Sequence, residues 1–144
     1  MIKKRLVAVV DDELDIVNLF RDSINTIKAI TVFGFTDPMV ALEHFRWNKN
    51  SYILMICDLK MPTLCGIELI KQIKMENPSV RTLLMTAFDV NDRLFDDITK
   101  KEIINGFLQK PIKLQNLLSE VNKQINAHKI GLKTRRTSSR VSLP

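Results

Sequence analysis

The chain has 144 residues, of which 45% are hydrophobic and 26% charged, a balance that excludes a disordered or fibrous polymer and suits one domain with a buried core. The formal net charge of +6 would suggest nucleic acid, but Lys129, Lys133, Arg135, Arg136 and Arg140 lie in a tail, 129–144, that holds no acid. Residues 1–128 carry 17 basic and 16 acidic side chains, so the domain body has no basic face and any nucleic-acid affinity is confined to the tail.

The chain opens "MIKKRLVAVVDD", a basic cluster followed by an apolar run. That run stops after five residues at two aspartates, whereas an export signal needs roughly seven to fifteen apolar residues and a small-residue cleavage site. Leu6–Val10 therefore reads as a buried strand. Leu14, Val17, Phe20, Ile24 and Ile27 then recur at helical spacing. Thr31–Phe35 is a weaker strand candidate, and Asp37-Pro38 offers a cap followed by proline at the first position of a helix over 39–47.

Tyr52–Cys57 and Thr82–Met85 are further apolar runs without alternation, the pattern of strands covered on both faces in a parallel sheet. Between them Gly66 precedes a helix over 67–75, closed by Asn77-Pro78. A fourth helix is expected at about 91–104, with the sparse apolar positions Leu94, Phe95 and Ile98. Gly106–Gln109 is the fifth strand, and Leu114, Leu117, Leu118, Val121 and Ile125 mark the fifth helix. Strict alternation of five strands and five helices predicts one doubly wound α/β domain over 1–128 with helices on both faces of a five-stranded parallel sheet. The tail over 129–144 lacks an apolar period and is expected not to fold. Its Arg135-Arg136-Thr137-Ser138 string also fits a basophilic kinase target.

No apolar stretch reaches the ~18 residues of a membrane span, and Cys57 and Cys65 form no metal-thiolate or disulfide pattern. A cytoplasmic setting is therefore expected.

In such a sheet, ligands bind beyond the carboxyl ends of the strands. The predicted strands end in Asp11-Asp12, Asp58, Thr86 and Lys110-Pro111. Taken singly, an aspartate here is usually a helix cap, a threonine a local hydrogen-bonder and a lysine a solvated charge. Capping alone does not explain all of them at one end of different strands. Two unit charges about 4 Å apart repel by ~4 kcal/mol at an effective dielectric near 20, so clustered carboxylates call for a counter-ion. Oxygen donors without Cys or His favour Mg²⁺ and leave room for a phosphoryl group, on which Lys110 would act as a point charge and Thr86 as a donor.

The set Asp11-Asp12, Asp58 followed by "LKMPTLCG", "MTA" with Thr86, and "GFLQKPI" with Lys110-Pro111 resembles the receiver domain of two-component response regulators, over about residues 4–127. The resemblance implies a flavodoxin-like fold with strand order 2-1-3-4-5. It implies that Asp58 is the phosphoacceptor and takes its phosphoryl group from a sensor histidine kinase or phosphotransfer protein. Asp12, Asp58 and the backbone carbonyl of Lys60 would ligate Mg²⁺, with Asp11 acting mainly through water. Lys110 would pair with the phosphoryl group, Thr86 would follow it inward, and Phe107 would rotate into the space released. The readout would be the face of the fourth helix, fifth strand and fifth helix, which would meet a downstream protein or a second copy of the chain. The domain would then be no enzyme beyond its own phosphoryl transfer and dephosphorylation.

Phe88 and Lys60 occupy the two positions that in this family influence the hydrolytic water, and a bulky apolar Phe88 leads us to expect slow self-dephosphorylation. Too few residues follow the fifth helix for a recognisable output domain, which leaves a stand-alone regulator or a fragment of a longer one. Two rival readings are a receiver-like binding module independent of phosphorylation and a haloacid-dehalogenase-type phosphatase. The latter's Asp-x-Asp arrangement is not matched by "DDELD".

Overall fold

The computed structural model describes residues 4–87 and 103–141, without the side chains of 133–141. Its elements in chain order are β1 (Leu6–Val10), α1 (Leu14–Ile24), β2 (Thr31–Phe35), α2 (Pro38–Trp47), β3 (Tyr52–Asp58), α3 (Gly66–Glu76), β4 (Arg81–Thr86), β5 (Gly106–Gln109) and α4 (Leu114–Val141). All five strands join one parallel sheet in the order β2-β1-β3-β4-β5. The apolar runs behave as strands covered on both faces should: every residue of β1 and β3 is buried.

The two faces of the sheet make two cores. Leu6, Ala8 and Val10 of β1 pack with Leu42 and Phe45 of α2 and Leu69, Ile70 and Ile73 of α3. Val7 and Val9 point the other way, onto Phe20 and Ile24 of α1 and Leu117, Val121 and Ile125 of α4. Burying side chains of this size stabilises by about 1.5–3 kcal/mol each. Between Leu6 and Val7 the register against β3 shifts by one residue, so Ile53 and Leu54 both enter the α1/α4 core.

Helix ends follow the expected chemistry with two differences. Asp37 accepts from the Met39 amide at 2.9 Å, and Pro38 begins α2. Leu14, counted in the inward stripe of α1, is the first residue of the helix and is 59% exposed instead. The last helix does not stop near residue 128 but continues to Val141, so the expected boundary with an unfolded tail falls inside a continuous helix. Lys and Arg are good helix formers, and their charge is favoured near a helix C-terminus. Most of the predicted helix over 91–104 lies outside the described residues. Ile103 and Ile104, at its expected end, are non-helical and lead straight into β5, where the Asn105 amide donates to the Thr82 carbonyl at 2.9 Å.

One glycine is fixed by close approach. The Gly66 amide donates to Leu59 O at 3.0 Å, and a Cβ at residue 66 would collide with the carbonyl of Asp58. Backbone cannot yield as a flexible side chain can. Gly66→Ala is therefore expected to lower unfolding free energy by about 1–3 kcal/mol in urea titrations, opposite in sign to the gain of about 0.5–1 kcal/mol that the same exchange gives in an unobstructed helix interior.

Candidate functional site

The carboxyl ends of the strands deliver the predicted groups to one rim. Asp11 follows β1, and its amide donates to Phe35 O at 3.1 Å, which locks the end of β1 to the end of β2. Past β3, the Leu59 amide donates to Met85 O at 2.9 Å, and past β5 the Lys110 amide donates to Thr86 O at 2.7 Å. These two bonds hold the ends of β3, β4 and β5 level. Asp58, Thr86 and Lys110 consequently line one cleft with Asp12, Glu13 and Lys60.

Asp11, Asp12 and Asp58 each offer a carboxylate oxygen within 4.8 Å of the others. Asp11 is fully buried and Asp58 is 7% exposed, while Asp12 is open to solvent. Lys110 bridges the two buried acids, with Nζ 3.1 Å from Asp11 Oδ2 and 3.3 Å from Asp58 Oδ1. The other oxygen of Asp11 accepts from the Glu13 amide at 2.9 Å. The side chain of Glu13, the residue preceding α1, makes no capping bond of its own. The acidic run is thus held by a turn at one end of Asp11 and an ammonium at the other.

Three carboxylates against Lys110, which bonds two of them, leave the cluster net negative. Burial and the charge of Asp11 push the pKa of Asp58 above its ordinary value, making it a weaker acid, and the Lys110 contact only partly offsets this. For Lys110, burial opposes the ammonium form, but its bond to Asp11 and the charges of Asp11 and Asp58 prevail and hold it above the usual lysine value. The donor set, all oxygen and without Cys or His, fits a hard divalent cation. Such an ion would reverse the balance at Asp58 by favouring its charged form.

Phe107 lies on β5 opposite Leu84 of β4 and packs against the α2/α3 core, half-buried. Phe88 lies outside the described residues. Sequence reasoning gave Asp11 a role through water and did not find its direct bond to Lys110. Nor did it find Glu13 on the cleft wall or the tight seat of Gly66 behind Asp58.

The response regulator receiver domain profile matches residues 7–122. The chain belongs to that family. It is 37% identical over 83 residues to the transcriptional regulatory protein ZraR of Klebsiella oxytoca, covering 56% of this chain and 18% of that protein. It is 30% identical over 95 residues to ZraR of Escherichia coli strain K12, covering 65% and 21% respectively. The chain thus spans about a fifth of the length of these curated relatives. Among solved structures, a receiver domain protein from Clostridium thermocellum superposes with a TM-score of 0.76 at 27% identity, over 88% of this chain and 98% of that one. The Francisella response regulator 1452 receiver domain gives 0.71 at 25% identity, over 85% and 98%. The flavodoxin-like receiver fold expected from sequence is the fold observed, and receiver domains are in general signalling domains rather than classical enzymes. No described helix is long and apolar enough to cross a membrane.

A stability measurement checks the electrostatics. A carboxyl whose folded-state value is raised costs stability when ionised, so the receiver without divalent ion should be less stable at neutral pH than Asp58→Asn. The gap should close as pH falls through the raised value towards the ordinary 3.8, as read from thermal midpoints in chelator.

Proposed function

We propose that this receiver domain takes a phosphoryl group onto Asp58 from a sensor histidine kinase or phosphotransfer protein and changes its protein contacts in response. The observation that carries the reading is the seat of Asp58, nearly buried at the end of β3 beside two further aspartates and 3.3 Å from Lys110. A carboxylate oxygen of Asp58 attacks phosphorus as the P–N bond of a phosphohistidine breaks, and the imidazole leaves with the bonding electrons and takes up a proton. Asp11, Asp12, Asp58 and the backbone carbonyl of Lys60 would hold Mg²⁺, Asp11 through water, and the ion would supply charge neutralisation to the phosphoryl oxygens. Lys110, already aimed at Asp58, exchanges a carboxylate for a phosphoryl oxygen.

The acyl phosphate adds charge and acceptor oxygens that Thr86 and Lys110 can meet with about one to three charge-assisted hydrogen bonds. Those bonds exist in one state only, which is the condition for shifting a population. Thr86 moves towards the phosphoryl group and Phe107 turns into the space it leaves. The change reaches the surface formed by β5, α4 and the segment before β5, where a downstream protein or a second copy of the chain docks. A cytoplasmic setting accords with donation from a histidine kinase. The positions of Phe88 and Lys60 in the sequence favour a long-lived acyl phosphate.

Incubation with Mg²⁺ and acetyl phosphate, followed by intact mass measurement, should add one phosphoryl group to the wild type and none to Asp58→Asn. Modification of Asp58→Asn to the same extent would defeat the assignment and favour the phosphatase reading, in which Asp11 is the nucleophile. An unmodified wild type would favour a binding module independent of phosphorylation. Once formed, the phosphoprotein should decay slowly in Mg²⁺, and Phe88→Asn should shorten its half-life several-fold; rapid decay of the wild type refutes the slow-hydrolysis reading.

A further inference from the structure

The carboxyl rim gathers the acids, and the opposite rim of the same sheet gathers cations. There a cavity of about 590 Å³ opens where the chain enters β1, β3 and β4, lined by Lys4, Arg5, Asn50, Ser79, His128 and Lys129 among others. A smaller recess of about 80 Å³ shares Ser79, His128 and Leu132 with it and adds Lys74 and Arg81. Lys4, Arg5 and Lys129 border the cavity, Lys74 and Arg81, bonded to Asn105 and Gln124 at 2.8 Å each, border the recess beside it, and among the described residues no carboxylate lines either. The adjacent acid at the end of α3, Glu76, is committed elsewhere, to Arg46 at 2.9 Å and Lys49 at 3.3 Å. Lys4, Arg5 and Lys129 form no ion pair with any described carboxylate.

Arg5 supplies the second observation. Its Nη2 is shut off from solvent and donates to no described atom. Leaving a buried donor unmet costs on the order of 1–3 kcal/mol, and more where the group is charged. Other atoms of Arg5 line the cavity, so a turn of its side chain would bring the unmet donor to an acceptor there, and the planar fork of a guanidinium matches phosphate oxygens in pairs. The volume falls within the roughly 300–1,000 Å³ of small-molecule sites. It exceeds what inorganic phosphate alone would fill, and Leu132 offers an apolar wall to an organic moiety.

We infer that this cavity is a binding site for a small, multiply charged phosphate ester of nucleotide size, at the end of the sheet remote from Asp58. The phosphates sit against Arg5, Lys4 and Lys129, and the organic part lies along the Leu132 side. Since α4 carries both Lys129 and the wall of the cavity, occupancy would tie the distal part of that helix to the starts of β1 and β3.

The probe is ADP, titrated into the full chain without Mg²⁺ by calorimetry, with amide shifts followed by NMR. Saturable one-to-one binding is expected, with shifts clustered at residues 4–5, 50, 79 and 128–132. Arg5→Gln and Lys129→Gln should each weaken it about tenfold or more, the loss of one charge-assisted contact, while still accepting a phosphoryl group from acetyl phosphate. Lys129 is exposed, so its replacement leaves the fold intact and keeps the test open if Arg5→Gln misfolds. Pyrophosphate should compete and adenosine should not, and Asp58→Asn should bind as the wild type does. The inference is overturned by absence of saturable ADP binding, by undiminished affinity in Lys129→Gln, or by binding restricted to vesicles of phosphatidylglycerol.

Discussion

Everything at the carboxyl rim depends on like charges held together against their repulsion. Three carboxylate oxygens within 4.8 Å repel one another by ~3–4 kcal/mol per pair at an effective dielectric near 20. A fold of ordinary stability tolerates this only with a partner in place. In the protein alone that partner is Lys110, which reaches back across β4 and β3 to Asp58 and to Asp11. The long strand-to-strand ties at the rim are what keep it in reach. The amide of Lys110 is anchored to Thr86, and the amide of Leu59 to Met85, so acids and ammonium are fixed by backbone before side-chain attraction acts.

The same constraint explains why Asp11 rather than Asp12 is the buried member of the pair. Asp11 has two partners, the Glu13 amide and the Lys110 ammonium, and a carboxylate so bonded can be withdrawn from water. Asp12 stays in solvent, where its charge is cheaply hydrated and an arriving cation can meet it. Asp58 is intermediate: it is nearly buried yet only partly compensated, and its acidity is displaced for that reason. A group in that condition is poised to gain from any cation or phosphoryl chemistry that completes its surroundings.

Much of this was legible in the residues. Strand periods and strand-end chemistry found the sheet, and they found the rim because side chains at the ends of parallel strands must share an edge. Three things were not legible. The partners of Asp11 lie 2 and 99 residues away, and only the second is a spacing no local pattern reports. Gly66 looked like an ordinary helix start, since the carbonyl it abuts becomes its neighbour only after β3 and α3 fold together. The length of α4 defeated the composition argument: the tail lacks an apolar period, yet a helix already nucleated by its packed first turns propagates at little further cost.

The polarity of the sheet extends beyond the acidic rim. Each helix that follows a parallel strand runs back against it, so the positive ends of the helix dipoles gather at the carboxyl rim and the negative ends at the amino rim. Side-chain charge is sorted to match. Asp15 and Glu68 stand in first turns, and Arg21, Arg46 and Lys74 in last turns. Dipole matching is enough to explain exposed cations at the amino rim, each worth a few tenths of a kcal/mol to about 1 kcal/mol. It does not explain Arg5, which precedes a strand rather than ending a helix and has a guanidinium nitrogen buried without an acceptor among the described residues. Dipole matching draws charge towards solvent-facing helix ends; the proposed anion would account for a donor unmet among the described residues beside a hollow that none of their carboxylates lines.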